Sequence, residues 1–94
     1  IMEYNFRCRL GEIDIIARDG QYLVFLEVKY RSGKGTGNPL EAVTKAKQRT
    51  ISKVAVDYCV THGYGEMTPC RFDVAAILGD KINVVKNAFD YQGR

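Results

Sequence analysis

Two apolar segments joined by a short turn carry charged residues at positions where β-strands are normally buried. The first segment is Gly11-Glu-Ile-Asp-Ile-Ile-Ala17 and the second is Val24-Phe-Leu-Glu-Val-Lys-Tyr30. Asp19-Gly20 lies between them, and an Asp-Gly pair flanked by alternating hydrophobic residues predicts a two-residue β-hairpin turn. Charges inside apolar strands are costly to desolvate, so they require an opposite charge, a metal ion or a ligand. The hairpin therefore constrains both the fold and the chemistry.

The predicted turn fixes the expected pairing of the two strands. With Arg18 facing Gln21, Glu12 faces Glu27. Paired residues share a face and each strand alternates faces. The charged face would then hold Glu12, Asp14, Glu27 and Lys29, and the other face would hold Ile13, Ile15, Tyr22, Val24, Leu26 and Val28. Asp14 and Glu27 become diagonal neighbours, with Cα atoms roughly 7–8 Å apart, which is close enough for both carboxylates to hold one ion.

The length and composition indicate a single domain, expected to span residues 1–94 and to lack an N-terminal portion, because the chain starts at Ile1. The longest apolar runs, Tyr22–Leu26 and Val74–Leu78, are far shorter than the roughly 18 residues needed to cross a bilayer. The 3 cysteines form no CxxC pair, which is typical of reduced thiols. These features predict a soluble cytoplasmic protein with no membrane partner.

The remaining pattern predicts the element order βββαββ, an α/β (more strictly α+β) fold with a mixed sheet and one long helix. The expected strands are Glu3–Arg9, Glu12–Arg18, Gln21–Arg31, Cys70–Leu78 and Ile82–Phe89. A loop is expected over Ser32–Asn38. The helix would run from about Pro39 to Gly63, with a break near Thr44, and His62 would cap its end.

Lys47 interrupts the apolar stripe of this helix, since it lies four residues from both Val43 and Ile51. Its stem could lie on apolar surface with the amine in water, or its amine could point to the sheet beside the carboxylates. The sequence favours neither arrangement. Arg71 and Asp73 are expected to form an ion pair on one face of their strand.

The net charge of +3 is unevenly distributed. From Lys29 to Lys53 the chain has seven basic residues and one acid, Glu41. A basic segment beside a carboxylate cluster fits a polyanionic substrate, although many charged helices are simply solvated. The candidate nucleic-acid-binding residues are Arg7, Arg9, Arg31, Lys34, Lys45 and Arg49.

The carboxylate cluster has the composition of a metal-dependent phosphodiesterase site. Oxygen ligands favour Mg²⁺ or Mn²⁺, which can activate water and neutralise charge on a phosphate. Asp14 and Glu27 would bind the ion, the backbone carbonyl of Val28 could add a ligand, and Glu12 is a further candidate. Lys29 would orient water or stabilise the phosphate. The alternative is an ion-pair network without catalysis.

The sequence resembles the YraN-like family of predicted endonucleases, within the PD-(D/E)xK restriction-endonuclease-like superfamily and distantly related to archaeal Holliday-junction resolvases. The landmarks are Asn5-Phe-Arg, Gly11-Glu-Ile-Asp14, Val24-Phe-Leu-Glu-Val-Lys29, Val43-Thr-Lys-Ala-Lys-Gln48, Cys70-Arg-Phe-Asp-Val74 and Asn87-Ala-Phe89.

The resemblance implies a mixed sheet flanked by helices, and an N-terminal helix that this chain lacks. It implies a catalytic triad of Asp14, Glu27 and Lys29, with Lys47 and Gln48 reaching the triad from the helix. It also implies a DNA substrate, which could be branched, and a homodimer would suit a two-stranded substrate. Two other functions stay open: a module that binds nucleic acid or protein without cutting, and a structural factor with no affinity for DNA.

Overall fold

The computed structural model describes residues 1–31 and 43–92, and in that part of the chain the order βββαββ is confirmed. The elements are β1 (Glu3–Cys8), β2 (Gly11–Asp19), β3 (Tyr22–Arg31), α1 (Lys45–Thr61), β4 (Cys70–Leu78) and β5 (Lys81–Phe89). The strands form one sheet in the order β1-β2-β3-β4-β5. Neighbours are antiparallel except β3 and β4, which are parallel and joined through α1. The fold is therefore a mixed-sheet α+β fold.

The helix begins at Lys45 because Thr44 caps it. The Thr44 hydroxyl accepts a hydrogen bond from the Lys47 N–H at 3.1 Å, which satisfies one of the free donors of the first turn. The expected break near Thr44 is thus the start of the helix. Pro39 and the predicted loop Ser32–Asn38 lie outside the described residues.

The predicted end of the helix is confirmed. His62 is the C-terminal cap, and its N–H donates to the Tyr58 carbonyl at 3.0 Å. Gly63 follows with φ of 78°, the left-handed conformation that glycine adopts at little cost.

The core lies between α1 and one face of the sheet. Helix residues at spacings of three and four supply one side of it, as expected for an amphipathic helix on a sheet. Phe25 of β3 is central, with its ring 6.0 Å from that of Tyr58 and 5.7 Å from that of Phe72. The core residues are Ile13, Ile16, Leu23, Phe25, Val43, Ile51, Val54, Ala55, Tyr58, Phe72 and Val74.

The predicted hairpin register is wrong. Asp19 pairs with Tyr22, so the loop is Gly20-Gln21, and Arg18 faces Leu23 instead of Gln21. Gly20, with φ of 61°, provides the left-handed residue at the first loop position, a conformation that glycine adopts at little cost. The correction moves β3 by two residues relative to β2. Because faces alternate with a period of two, an even shift keeps the same residues on each face.

The predicted face of Ile13 is also wrong. Ile13 and Ile16 are both buried in the core under α1, although residues three apart in a regular strand lie on opposite faces. The alternation of β2 therefore changes between these two residues, at Asp14 and Ile15. Ile13 lies on the helix-facing side, opposite to the side that the alternation predicts.

At Gly11 the backbone of the hairpin lies close to α1. A Cβ atom at this position would lie 2.8 Å from Thr50 Cγ2 and 3.2 Å from Val54 Cγ2, and the φ of Gly11 is +154°. A side chain at residue 11 would therefore require Thr50 or the start of β2 to shift, and would be strained by the positive φ.

We expect Gly11→Ala to lower the free energy of unfolding by about 1–3 kcal/mol, the usual cost of overpacking. Chemical denaturation measures this change. Gly79→Ala is the control, since its φ is also positive, at +60°, and nothing lies within 4 Å of a Cβ at that position. Equal effects of the two substitutions would show that helix packing does not set the requirement for glycine.

Candidate active site

The strands β2 and β3 separate at Asp14. Their ladder ends at the pair Ile15–Leu26, and beyond it a side chain takes the place of the main chain. Asp14 Oδ2 accepts a hydrogen bond from the Val28 N–H at 2.7 Å. Val28 stays within β3, and in a strand the N–H and C=O of one residue point to the same side, so we expect the Val28 carbonyl to face the same gap.

Glu27 is the buried carboxylate of the site, with 5% of its surface exposed. Two lysines approach the same oxygen, Oε2: Lys29 Nζ at 3.3 Å from β3 and Lys47 Nζ at 3.7 Å from α1. Of the two arrangements open for Lys47, the structure has the one with its amine near the carboxylates. Its side chain is still 39% exposed, so the amine also reaches solvent.

The site has two ammonium groups for two carboxylates, but ionisation of the buried carboxylate is still disfavoured. Burial raises the pKa of Glu27 above its ordinary value, and the negative charge of Asp14 raises it further, while Lys47 and Lys29 act in the opposite direction. The effect of Asp14 shows that the two carboxylates are close enough to repel each other. Two carboxylates and two ammonium groups therefore lie in one partly buried site.

Gln48 lies next to Lys47 in the first turns of α1. Its Nε2 donates to the Val43 carbonyl at 3.1 Å, which fixes the amide. Its Oε1 is buried, and within residues 1–31 and 43–92 it has no hydrogen-bond partner. Since buried polar atoms are normally satisfied by protein or ordered water, this oxygen is an available acceptor for a water or a ligand donor.

Glu12 lies away from this cluster. It pairs with Arg7 across β1 and β2, with Arg7 Nε 3.5 Å from Glu12 Oε2, and the β2–β3 ladder ends before it. Since Ile13 faces the helix, alternation turns Glu12 to the other side of the sheet, away from the face of Glu27. Asp14 thus acts on Glu27, whereas Glu12 pairs with Arg7.

The donor set fits a hard divalent cation. Asp14, Glu27 and the Val28 carbonyl are all oxygen donors, the type that Mg²⁺ and Mn²⁺ prefer, and Mg²⁺ commonly keeps several waters. No group of three or more His, Cys, Asp or Glu side chains comes together in the described part of the chain. A bound ion would thus have two protein carboxylates and would depend on main-chain oxygen and water for the rest.

The predicted basic residues are only partly beside the site. Lys45 and Arg49 are exposed on α1, near the turn that holds Lys47, and Lys53 continues the same stripe at a spacing of four. Arg9 is exposed after β1, and Arg7 is exposed but paired with Glu12. Lys34 and the Arg31 side chain lie outside the described residues. We call Lys45, Arg49 and Lys53 the basic stripe.

The predicted Arg71–Asp73 ion pair is confirmed. Arg71 donates from Nε and Nη2 to the two Asp73 carboxylate oxygens, both at 2.9 Å, and its Nη1 lies 3.0 Å from Asp19 Oδ2. Asp73 also accepts the Asn87 N–H at 2.9 Å. These bonds satisfy the buried carboxylate, so the cluster links β4 to the hairpin turn and to β5.

Two residues next to the site escaped the sequence prediction. Asn5 has φ of 53° in the middle of β1, at the level of Asp14 in the β1–β2 ladder. Gly11 allows β2 to approach α1. An asparagine inside a predicted strand is itself a signal, because asparagine is depleted in strands and tolerates the left-handed region.

Comparison with known sequences agrees with the landmarks. The profile of the Uncharacterised protein family UPF0102 matches residues 1–77. The chain belongs to this family, which is the YraN-like one. A UPF0102 protein of Lachnoclostridium phytofermentans is 53% identical over 93 residues, covering 99% of this chain and 79% of that protein. Those of Geotalea daltonii and Alkalilimnicola ehrlichii are 50% and 41% identical, covering 96% and 99% of this chain and 74% of each relative.

The described helix is too short and too polar to span a membrane.

Glu27→Gln tests the electrostatic state of the site without metal, in EDTA. The raised pKa means that the carboxyl favours folding below its unfolded pKa, and that this contribution is lost as pH rises through the folded pKa. We expect the variant to melt above the wild type at about pH 7.5, by roughly 4–8 °C for each 1 kcal/mol gained. Near about pH 4 the difference should shrink, because the wild-type carboxyl is then largely protonated.

Glu12→Gln is the control, because its exposed pair with Arg7 is worth only about 0–1 kcal/mol. It should change little at either pH. A Glu27→Gln variant that melts below the wild type at neutral pH would mean that the two lysine pairs outweigh the cost of burial.

Proposed function

We propose that this protein is a metal-dependent DNA endonuclease that hydrolyses phosphodiester bonds. The observation that carries the proposal is the convergence of one lysine from the strand and one from the helix on a buried carboxylate, beside a second carboxylate. A structural ion pair needs one cation per carboxylate and no buried, mutually repelling acids. A site that must hold a divalent cation and an anionic substrate needs both kinds of charge.

In this proposal Asp14, Glu27 and the Val28 carbonyl hold Mg²⁺ or Mn²⁺. The bound ion would supply Lewis acidity and a water of lowered pKa. The lysine side chains of the site supply the positive charge and the hydrogen-bond donors. Lys29 Nζ, held 3.3 Å from Glu27, orients the attacking water and donates to the phosphate as negative charge builds on its oxygens. Lys47 adds a second positive charge from the helix side.

Gln48 gives the site a hydrogen-bond acceptor with a fixed direction. Its amide is anchored through Nε2 to the Val43 carbonyl, and its Oε1, which has no partner in the described part of the chain, would accept a hydrogen bond from a water at the site. An acceptor that is already in place loses little entropy when the water binds. Gln48 would thus set the orientation of the water that Lys29 donates to.

The expected substrate is DNA, and its shape, branched or linear, is a matter for experiment. The basic stripe lies on the exposed side of the helix that carries Lys47, two residues away from it, so it would attract phosphates to α1 without itself entering the site. Contacts of this kind are independent of base sequence and depend strongly on salt. A homodimer remains part of the proposal because two sites would match two strands.

The decisive assay compares cleavage of labelled linear, flapped and four-way-junction DNA with Mg²⁺, Mn²⁺ or EDTA. We expect metal-dependent cutting, and a loss of at least about 100-fold in Lys29→Ala, typical of removing a preorganised charge. Asp14→Asn and Glu27→Ala should lose cleavage but keep binding, since neither contacts phosphate without the ion. Binding that is intact while the wild type cuts none of these DNAs would favour a module that binds without cutting. Absence of both activities would favour a structural factor.

The basic stripe makes a separate prediction about binding. Lys45→Gln with Arg49→Gln should weaken DNA binding equally for all sequences and reduce the salt dependence by about 0.9 for each phosphate that is no longer neutralised. The kcat at saturating DNA should stay near the wild-type value. Lys81→Gln with Lys86→Gln is the matched control, because these exposed lysines lie on β5 at the far edge of the sheet. Equal effects of the two pairs would rule out a local DNA path along α1.

A further inference from the structure

We propose that Asn5 is a positioning residue: its left-handed backbone turns Asp14 out of the regular alternation of β2 and into the gap beside Val28. The conformational part of this inference stands on backbone geometry alone. Its consequence for catalysis rests on the proposed nuclease function.

The β1–β2 ladder is interrupted at one level only. Tyr4 pairs with Ile15 and Phe6 pairs with Ile13, but the intervening Asn5 and Asp14 are not paired. The register is the same on both sides of the interruption, so neither strand carries an extra residue. Asn5 has φ of 53°, within the left-handed region. One residue in each strand therefore departs from regular β geometry at the same level.

Both strands change faces at this level. Phe6 packs against the core, with its ring 5.1 Å from that of Tyr58, whereas Tyr4 is 63% exposed, although residues two apart in a regular strand share a face. On β2, Ile13 and Ile16 are both buried in the same core. The change of face in β1 thus matches the change in β2, with Asn5 and Asp14 at its centre.

This change of face explains how Asp14 reaches Val28. In a regular strand an aspartate points above or below the sheet, and cannot accept from a main-chain N–H of the next strand. Asp14 instead lies at the irregular level, and its Oδ2 accepts the Val28 N–H at 2.7 Å. If β1 were regular at residue 5, pairing with β1 would draw Asp14 back into the alternation.

Asparagine suits this role because it enters the left-handed region more readily than other residues with a side chain, except where glycine is used. The same device occurs at the other edge of the sheet, where Asn87 has φ of 52° beside a register shift between β4 and β5. Asn87 donates its N–H to Asp73, not to the candidate site. It is therefore a natural control with the same backbone conformation.

The test uses ¹⁵N-labelled protein and measures hydrogen exchange of the Val28 amide in metal-free buffer, together with cleavage of DNA. We expect Asn5→Ala to lose Val28 protection as fully as Asp14→Ala, and to lower kcat by about 100-fold with little change in KM, the effect of a misplaced group. Asn5→Gly should keep both near wild type, because glycine also adopts positive φ. Asn87→Ala should lower the melting temperature but leave Val28 protection and kcat unchanged.

Two results would overturn the proposal. The first is a Val28 amide in Asn5→Ala that is as protected as in Asn87→Ala, and the second is loss of protection in a folded Asn5→Gly. The second result keeps the test decisive even if Asn5→Ala does not fold. If the wild type cuts no DNA, the nuclease function fails, whereas Val28 exchange still decides whether Asn5 positions Asp14.

Discussion

The hydrogen bond from the Val28 N–H to Asp14 is the contact on which the candidate site depends. A side-chain oxygen replaces the main-chain acceptor that a continuous ladder would provide, so β2 and β3 can separate without leaving that donor unsatisfied. The separation opens the gap that the Val28 carbonyl faces. A short hydrogen bond to a carboxylate also holds the Asp14 side chain in one orientation.

The electrostatics follow from where this gap lies. β3 is in the middle of the sheet, so Glu27 is covered by α1 on its face and by β4 at its side, and burial raises its pKa. Two lysines offset part of the cost of burying the charged carboxylate. They do not fill the site, since Lys29 and Lys47 both retain exposed surface. Such an arrangement lowers stability relative to an apolar core, which is the usual trade-off at a functional site.

The sequence predicted most of the fold because its periodicity and turn residues agree. The order βββαββ, the strand Cys70–Leu78, the helix end at Gly63 and the Arg71–Asp73 pair follow from local patterns. The hairpin register did not follow, because the Asp-Gly and Gly-Gln loops both contain Gly20 and differ by only one position, and the local sequence does not distinguish them. Because the resulting shift was even, this error alone did not change which residues of regular strands would share a face.

The position of Glu12 shows why strand alternation alone could not define the site. Alternation assumes that every residue of β1 and β2 is regular, and one left-handed asparagine invalidates that assumption for all residues beyond it. Ile13 then enters the core, Glu12 turns toward Arg7, and Asp14 is left between the two faces, where it can reach the neighbouring strand. The irregularity at Asn5 thus explains both why simple alternation fails in β2 and why Asp14 is oriented differently from its neighbours. A regular hairpin with this composition would have placed three carboxylates on one face, where each like charge disfavours the ionisation of the others.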